Sequence, residues 1–271
     1  MIVSVDHDPV NMPTLENTKM TTHARINGVV VVFLFDFLPQ HRSWAWLKLM
    51  QGNAAFFKAL PGLLFAKVMG SGEGGGFGLR PSGTHQGLIL IFDGFTTARE
   101  CLLSSEINQY KERTREFWQC VLSVDSCRGA WNQKSWESTD VSIKELKQEK
   151  NSYIASLTRG SIRASKALSF WRYAPEAQKD LALSQGCELA VGLGEAPILR
   201  QCTFSIWKDT ASLMNYAHQG AHLKAISAAQ KHEFFVESMF VRMSVHHMFG
   251  RWMGKSYDLN LKLIDSLKSN Q

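Results

Sequence analysis

Between Val29 and Phe37 almost every residue is β-branched or aromatic, a pattern that fits a strand buried on both faces. Helical spacing follows in Trp46, Leu47, Leu49, Met50, Ala54, Phe57 and Leu60, stopped by Pro61-Gly62. Strands are then predicted around Leu63–Met69 and Leu88–Phe92, a helix from Thr96, and a second helix around Asn108–Cys120. Farther along, Tyr153–Thr158 reads as a strand, Ala164–Leu183 as a helix, and Glu188–Leu193 with Cys202–Trp207 as a hairpin. Asp209-Thr210 opens the last helical region with good N-cap chemistry.

The order of these elements repeats. Gly62-Leu63-Leu64-Phe65-Ala66-Lys67-Val68-Met69-Gly70 lies over Gly186-Cys187-Glu188-Leu189-Ala190-Val191-Gly192-Leu193-Gly194, and Leu90–Gly94 lies over Ser205–Asp209. The offset is 124 residues before the hairpin loop and 115 after it, so the loop of the second half is nine residues shorter. Each half reads β-α-β-β-α, close to the ferredoxin-like pattern, with a final strand expected to complete it. The expected fold class is therefore α+β, two fused ferredoxin-like halves forming a dimeric α+β barrel type of architecture whose sheets bury their apolar faces against each other and leave a protected apolar space between sheet and helices. Two independent domains that merely abut are the competing arrangement. The boundaries read as 1–25 without regular structure, 26–140 and 151–250 for the halves, and 251–271 as a tail. Lys144-Glu145-Leu146-Lys147-Gln148-Glu149-Lys150 serves as a solvated linker.

Composition narrows the function classes. The 271 residues are 45% hydrophobic, enough for one large core or two small ones. Five cysteines, Cys101, Cys120, Cys127, Cys187 and Cys202, form no CxxC pair and read as reduced thiols of a cytoplasmic protein. No signal-peptide pattern is expected at the start, and Val29–Phe35 is far too short to span a bilayer. Peripheral membrane contact stays open. The net charge of +6 is scattered among acidic residues without aromatic interleaving, which argues against a nucleic-acid partner.

Candidate chemistry is sparse. Gly70, Gly72 and Gly75 form a formal GxGxxG, but Phe77-Gly78-Leu79-Arg80-Pro81 cannot open the helix a dinucleotide site requires. An elongated loop over a pocket mouth, or a plain long hairpin, suits the stretch better. His218 and His222 would share a helix face if the helix ran through Gly220, yet no third ligand stands at matching spacing for zinc. A single axial ligand to haem iron needs only one histidine, and ordinary surface histidines are the alternative. Phe204, Trp207, Tyr216 and Phe234-Phe235 either fill the core or line a large planar or elongated ligand. Arg159 and Arg163 are open between anion clamps and surface ion pairs. No nucleophile arrangement stands out, so hydrolysis is not expected.

The blocks Leu157–Arg163, Phe170-Trp171, Gly192–Pro197, Gln201–Trp207 and Gly220-Ala221-His222, with Phe65–Gly72, Gly74, Gly76 and Phe77 in the first half, resemble the spheroidene monooxygenase family of carotenoid oxygenases. The likeness spans roughly Val29 to Met243. It implies a haem-dependent monooxygenase that introduces a keto group into an acyclic carotenoid with O2 and electrons from reduced ferredoxin. It also implies His222 as the axial iron ligand, with His218 in reserve, and Arg159, Arg163, Trp207 and Phe204 around the cofactor. The glycine loop near Gly74 would act as a lid. A cofactor-free barrel monooxygenase or isomerase, and a non-catalytic binder of haem or an apolar ligand, are the other two readings.

Overall fold

A computed structural model describes residues 23–51, 57, 60–76, 80–137, 153–196 and 198–259. A short strand β1 (Ala24–Asn27) precedes β2 (Val29–Phe37), helix α1 (Arg42–Gln51), the hairpin β3 (Leu63–Gly72) and β4 (Pro81–Phe92), helices α2 (Phe95–Leu102) and α3 (Ser105–Lys111), and the long β5 (Thr114–Gly129). After β6 (Lys134–Glu137) the order recurs: β7 (Ile154–Ile162), α4 (Ala167–Leu183), β8 (Cys187–Ala196), β9 (Arg200–Trp207), α5 (Thr210–Ala217), α6 (Gly220–Lys231) and β10 (Phe235–Trp252), with β11 (Lys255–Leu259) added at the end.

Pairing follows the same rule in both halves. The first half lies in the order β5-β2-β4-β3 and the second in the order β10-β7-β9-β8, every contact antiparallel. The two sheets join through β10 on β5 and through β3 on β8, so eight strands close into an antiparallel barrel of an α+β fold. The seams differ in length. β10 runs beside β5 from Met239 to Gly250, whereas β3 meets β8 only at Gly70–Gly194 and Ser71–Leu193.

Alternation along each strand sorts side chains to the two barrel faces. Val30, Val32 and Leu34 of β2 point inward to join Trp118, Leu157, Val191, Phe204 and Val241 in one buried cluster. Val29, Val31, Phe33, Phe35 and Phe37 point outward into a second cluster beneath α1, α2 and α3. That double burial explains the unbroken apolar run. The space between the two sheets is likewise a filled core, so the protected space expected between sheet and helices has to lie on the outer faces of the barrel.

Two local expectations change. The helix anticipated over Asn108–Cys120 is α3 to Lys111 and then strand, because the chain pairs with β2 from Thr114 and with β10 as well from Trp118. Residues 251–259 of the anticipated tail extend the sheet. The linker stretch at 144–150 lies outside the described residues, as do residues 1–22. Among the described residues no helix is long and apolar enough to cross a membrane.

Candidate functional site

The outer faces of the two sheets carry very different side chains. Overlaying β2 on β7 by their shared pairing sets Val31 against Ser156, Phe33 against Thr158 and Phe35 against Gly160. The hairpin strands repeat the change, with Leu88 and Leu90 against Thr203 and Ser205, and Val68 against Gly192. In the first half these residues are fully or almost fully buried under the helices. In the second half Thr158, mid-strand and paired on both sides, is exposed, and Thr203 is half-buried. Among the described residues the buried apolar cluster on that outer face is Ile154, Leu181, Trp207 and Leu213. Replacing Phe and Leu by Thr and Ser removes floor volume that interiors at normal packing density do not leave empty without cost, whereas the space over Gly160 is taken by the Phe235 ring, which a Cβ there would meet at 2.5 Å.

One histidine stands at the Trp207 end of this layer. Ile107, the third residue of α3, is fully buried against the first sheet, and the third residue of α6 is His222. The His222 ring stacks on Tyr216 at 4.4 Å between centroids, and Tyr216 in turn lies 5.3 Å from Trp207, whose Nε1 donates to Ser205 Oγ at 2.9 Å. Desolvation, with His218 nearby, lowers the His222 pKa to about 4, so the ring is neutral at physiological pH. Among the described residues neither ring nitrogen has a hydrogen-bond partner.

His218 and His222 do not share a helix face. Gly220 takes φ +60°, an αL turn that ends one helix and starts the next, leaving His218 as the C-cap of α5 and exposed. Asp209 caps α5 as anticipated, accepting from the Ser212 amide at 2.7 Å. Among the described residues no cluster of three His, Cys, Asp or Glu could hold a metal ion.

The remaining anticipated residues disperse. Phe204 faces the barrel interior, 5.9 Å from Trp118, on the opposite face of the sheet from His222. Arg159 also points inward, where it pairs with Glu237 and, at 3.3 Å, with Glu195; Glu195 also pairs with Lys67 and accepts from Trp131 Nε1 at 3.2 Å. Burial by itself would raise the Glu195 pKa, but Lys67 and Arg159 hold it below the usual carboxylate range. Arg163 is exposed and donates from Nε to the carbonyl of Glu233, just past the end of α6. A rise of 1.5 Å per residue puts that point roughly 16 Å from His222. Trp207 alone of the four joins the histidine. Tyr216 is the ring that backs it.

The glycine-rich hairpin of the first half reaches across to the second sheet. Ser71 Oγ donates to Gly192 O at 2.8 Å, and Gly76 sits so close that a Cβ there would meet Gly192 O at 2.1 Å. Only glycine fits that approach at φ +102°. Residues 77–79 lie outside the described residues.

Comparison with known proteins then places the chain. It is 41% identical over 233 residues to a spheroidene monooxygenase of Rubrivivax gelatinosus, covering 84% of this chain and 86% of that one. The chain belongs to the spheroidene monooxygenase family. A second relative in this family, the spheroidene monooxygenase of Cereibacter sphaeroides, is 29% identical over 230 residues, 83% of this chain and 69% of the relative. Family membership makes the chain a monooxygenase. No family model matches the sequence. Among solved structures, an aldoxime dehydratase in complex with butyraldoxime matches at TM-score 0.51 and 11% identity over 82% of each chain. Another aldoxime dehydratase matches at 0.51 and 12%, over 86% of this chain and 89% of that one. At those identities the likeness is one of fold.

Proposed function

We propose that this monooxygenase is haem-dependent and introduces a keto group into an acyclic carotenoid, using O2 and electrons from a reduced ferredoxin. The observation that carries this is the contrast between the two helix layers. Where the first half packs Phe33, Phe35 and Ile107, the second carries Thr158 and Thr203 on the sheet and, at the matching helix position, a neutral imidazole without a hydrogen-bond partner among the described residues. A flat ring system needs that clearance, and iron needs that donor.

The residues present fit the group. His222 would hold the iron and His218 is the reserve. Burial keeps the His222 ring deprotonated, the form in which imidazole donates to a metal. Tyr216 and Trp207 stack behind it and fix its plane. Bound there, haem supplies the oxygen activation that side chains do not. The chain's own tasks are to hold the polyene end against the Thr158, Thr203 and Ser205 floor and to exclude water beneath α4 and α6. Two successive oxidations of one allylic carbon, each consuming O2, two electrons and two protons, give a gem-diol that loses water to the ketone. Arg159 and Phe204 stay with the barrel core in this reading. In fold terms the halves are two fused ferredoxin-like units, since the strand order of each half matches that pattern. The charge of +6 suits an acidic electron donor.

The test is spectroscopic. Haem-supplied wild-type protein is expected to show a Soret band, His222→Ala to lose it and His218→Ala to keep it. A wild-type protein without the band, or a His222→Ala variant with an unchanged one, overturns the assignment.

A further inference from the structure

The far end of the second half from His222 gathers segments from distant parts of the sequence. The first turns of α4 pack on the start of β10, with Phe170 5.9 Å from Phe234 and 5.8 Å from Phe235. Trp171 Nε1 donates to the carbonyl of Ile198 at 3.1 Å, tying the β8–β9 hairpin tip to the same place. The apolar residues displayed there are unusually bare. Leu168 is 86% exposed and Val236 67%, and Ile198 and Leu199 stand out beside them at the hairpin tip. Ile198 holds φ +70°, a conformation that a β-branched side chain adopts only under strain. A hairpin tip that needed only to turn would carry Gly or Asn.

Four cations ring these residues. Arg163 ends β7, Lys166 precedes α4, Arg172 shares the α4 face with Leu168 one turn on, and Arg200 follows Leu199; all are exposed. Among the described residues none of the four forms an ion pair. The acids close by are Glu233, whose carbonyl receives Arg163, Glu176 one turn beyond Arg172, and Glu195 and Glu237, which are both paired with Arg159.

We propose that this end of the second half docks on a lipid bilayer carrying anionic headgroups, inserting Leu168, Ile198, Leu199 and Val236 between them. Protruding aliphatic side chains ringed by lysine and arginine, with a tryptophan at their margin, match the chemistry of an interfacial anchor. An acidic protein would meet the cations but would need hollows to receive a leucine exposed to this degree. The surface lies at the opposite end of α4 and α6 from the histidine, so a membrane-dissolved substrate would enter along the helix pair. The inference extends the carotenoid reading but is tested without it.

The experiment is vesicle co-sedimentation of the full chain at low and at 0.5 M salt, with phosphatidylcholine vesicles and with vesicles containing about 30% phosphatidylglycerol. Binding is expected only to the anionic vesicles and is expected to weaken with salt. Lys166→Glu with Arg172→Glu is expected to weaken it at least about tenfold. Ile198→Asp, which relieves the strain at positive φ and therefore keeps the fold, is expected to weaken it by a similar factor. Thermal melts check that each variant is folded. No binding by the wild-type chain, or equal binding by both folded variants, overturns the proposal. So does a Lys166→Glu/Arg172→Glu protein that binds vesicles normally but accepts electrons more slowly from reduced ferredoxin, since the surface would then serve a protein. Vesicle binding needs no Soret band, so its outcome stands apart from that of the haem assignment.

Discussion

The two helix layers of this barrel are built on the same strand order and filled differently. Beneath α1, α2 and α3 the outer face of the first sheet is paved with Val29, Val31, Phe33, Phe35, Leu88 and Leu90, and the aromatic rings interlock, with Phe35 5.0 Å from Tyr110. Beneath α4, α5 and α6 the matching floor is Ile154, Ser156, Thr158, Gly160, Thr203 and Ser205. The first layer is a finished core. The second keeps the scaffold but withholds the filling, and puts His222 where the first has Ile107. A duplicated architecture can thus assign stability to one copy and chemistry to the other.

The sharpest way to break the comparison is to exchange residues between layers. Phe33→Thr, which gives the first floor its second-half counterpart, is expected to cost about 3–5 kcal/mol, the range for deleting a fully buried aromatic. Chemical denaturation followed by circular dichroism reads this directly. A loss below about 1 kcal/mol would mean that the first layer is no better packed than the second.

Nearly as large is the effect expected at Arg159. Its side chain is 3% exposed and lies between Glu195 and Glu237, with its guanidinium over Trp131 at 5.6 Å. Arg159→Ala takes the cation from Glu237 and one of two cations from Glu195, and is expected to cost about 3–5 kcal/mol. Haem affinity of the folded fraction is expected to stay unchanged, because the residue faces the barrel core. A Soret titration that weakens in step with the mutation would instead return Arg159 to the cofactor.

Much of this was legible in the chain itself. The duplicated hairpins at offsets of 124 and 115 are visible as sequence, and so are the α5 cap at Asp209 and the burial of β2 on both faces. The start of strand β5 was not, because Lys111-Glu112-Arg113-Thr114-Arg115-Glu116 is rich in helix formers and only pairing with β2 makes Thr114–Glu116 extended. The location of the open layer was harder still. Thr158, Gly160, Thr203 and Ser205 carry no motif, and small residues announce nothing until they are set against Phe33, Phe35, Leu88 and Leu90 at the same strand positions. Arg159 misled for the converse reason, since an arginine on a strand does not reveal which face it takes until the register is known.

A smaller effect, opposite in sign, is expected from filling the second floor. Thr158→Phe restores the first-half residue at an exposed mid-strand position and is expected to raise stability by no more than about 1 kcal/mol, since the added ring is covered only in part. The same variant is expected to abolish haem uptake. Stabilisation accompanied by an unchanged Soret band would show that the space is not where the cofactor sits.

The smallest effect separates two buried histidines that share a depressed pKa. His246 lies against the first layer, its ring 6.4 Å from that of Phe95, and its Nε2 is 2.8 Å from Ser123 Oγ. Burial lowers its pKa to about 4. Between the unfolded value near 6.5 and that figure the unfolded chain binds the proton and the folded chain does not. The contribution is therefore complete above about pH 6.5 and is lost as pH falls through this window toward 4. His246→Gln keeps a polar partner for Ser123 without titrating, and is expected to flatten the fall in melting temperature between pH 6.5 and 4.5. His222 has no such partner, so supplying haem is expected to act at that ring alone and to leave the His246 component of the acid profile in place. If haem erased the His246 component, the two layers would be coupled through the barrel, and the division of labour between them would have to be abandoned.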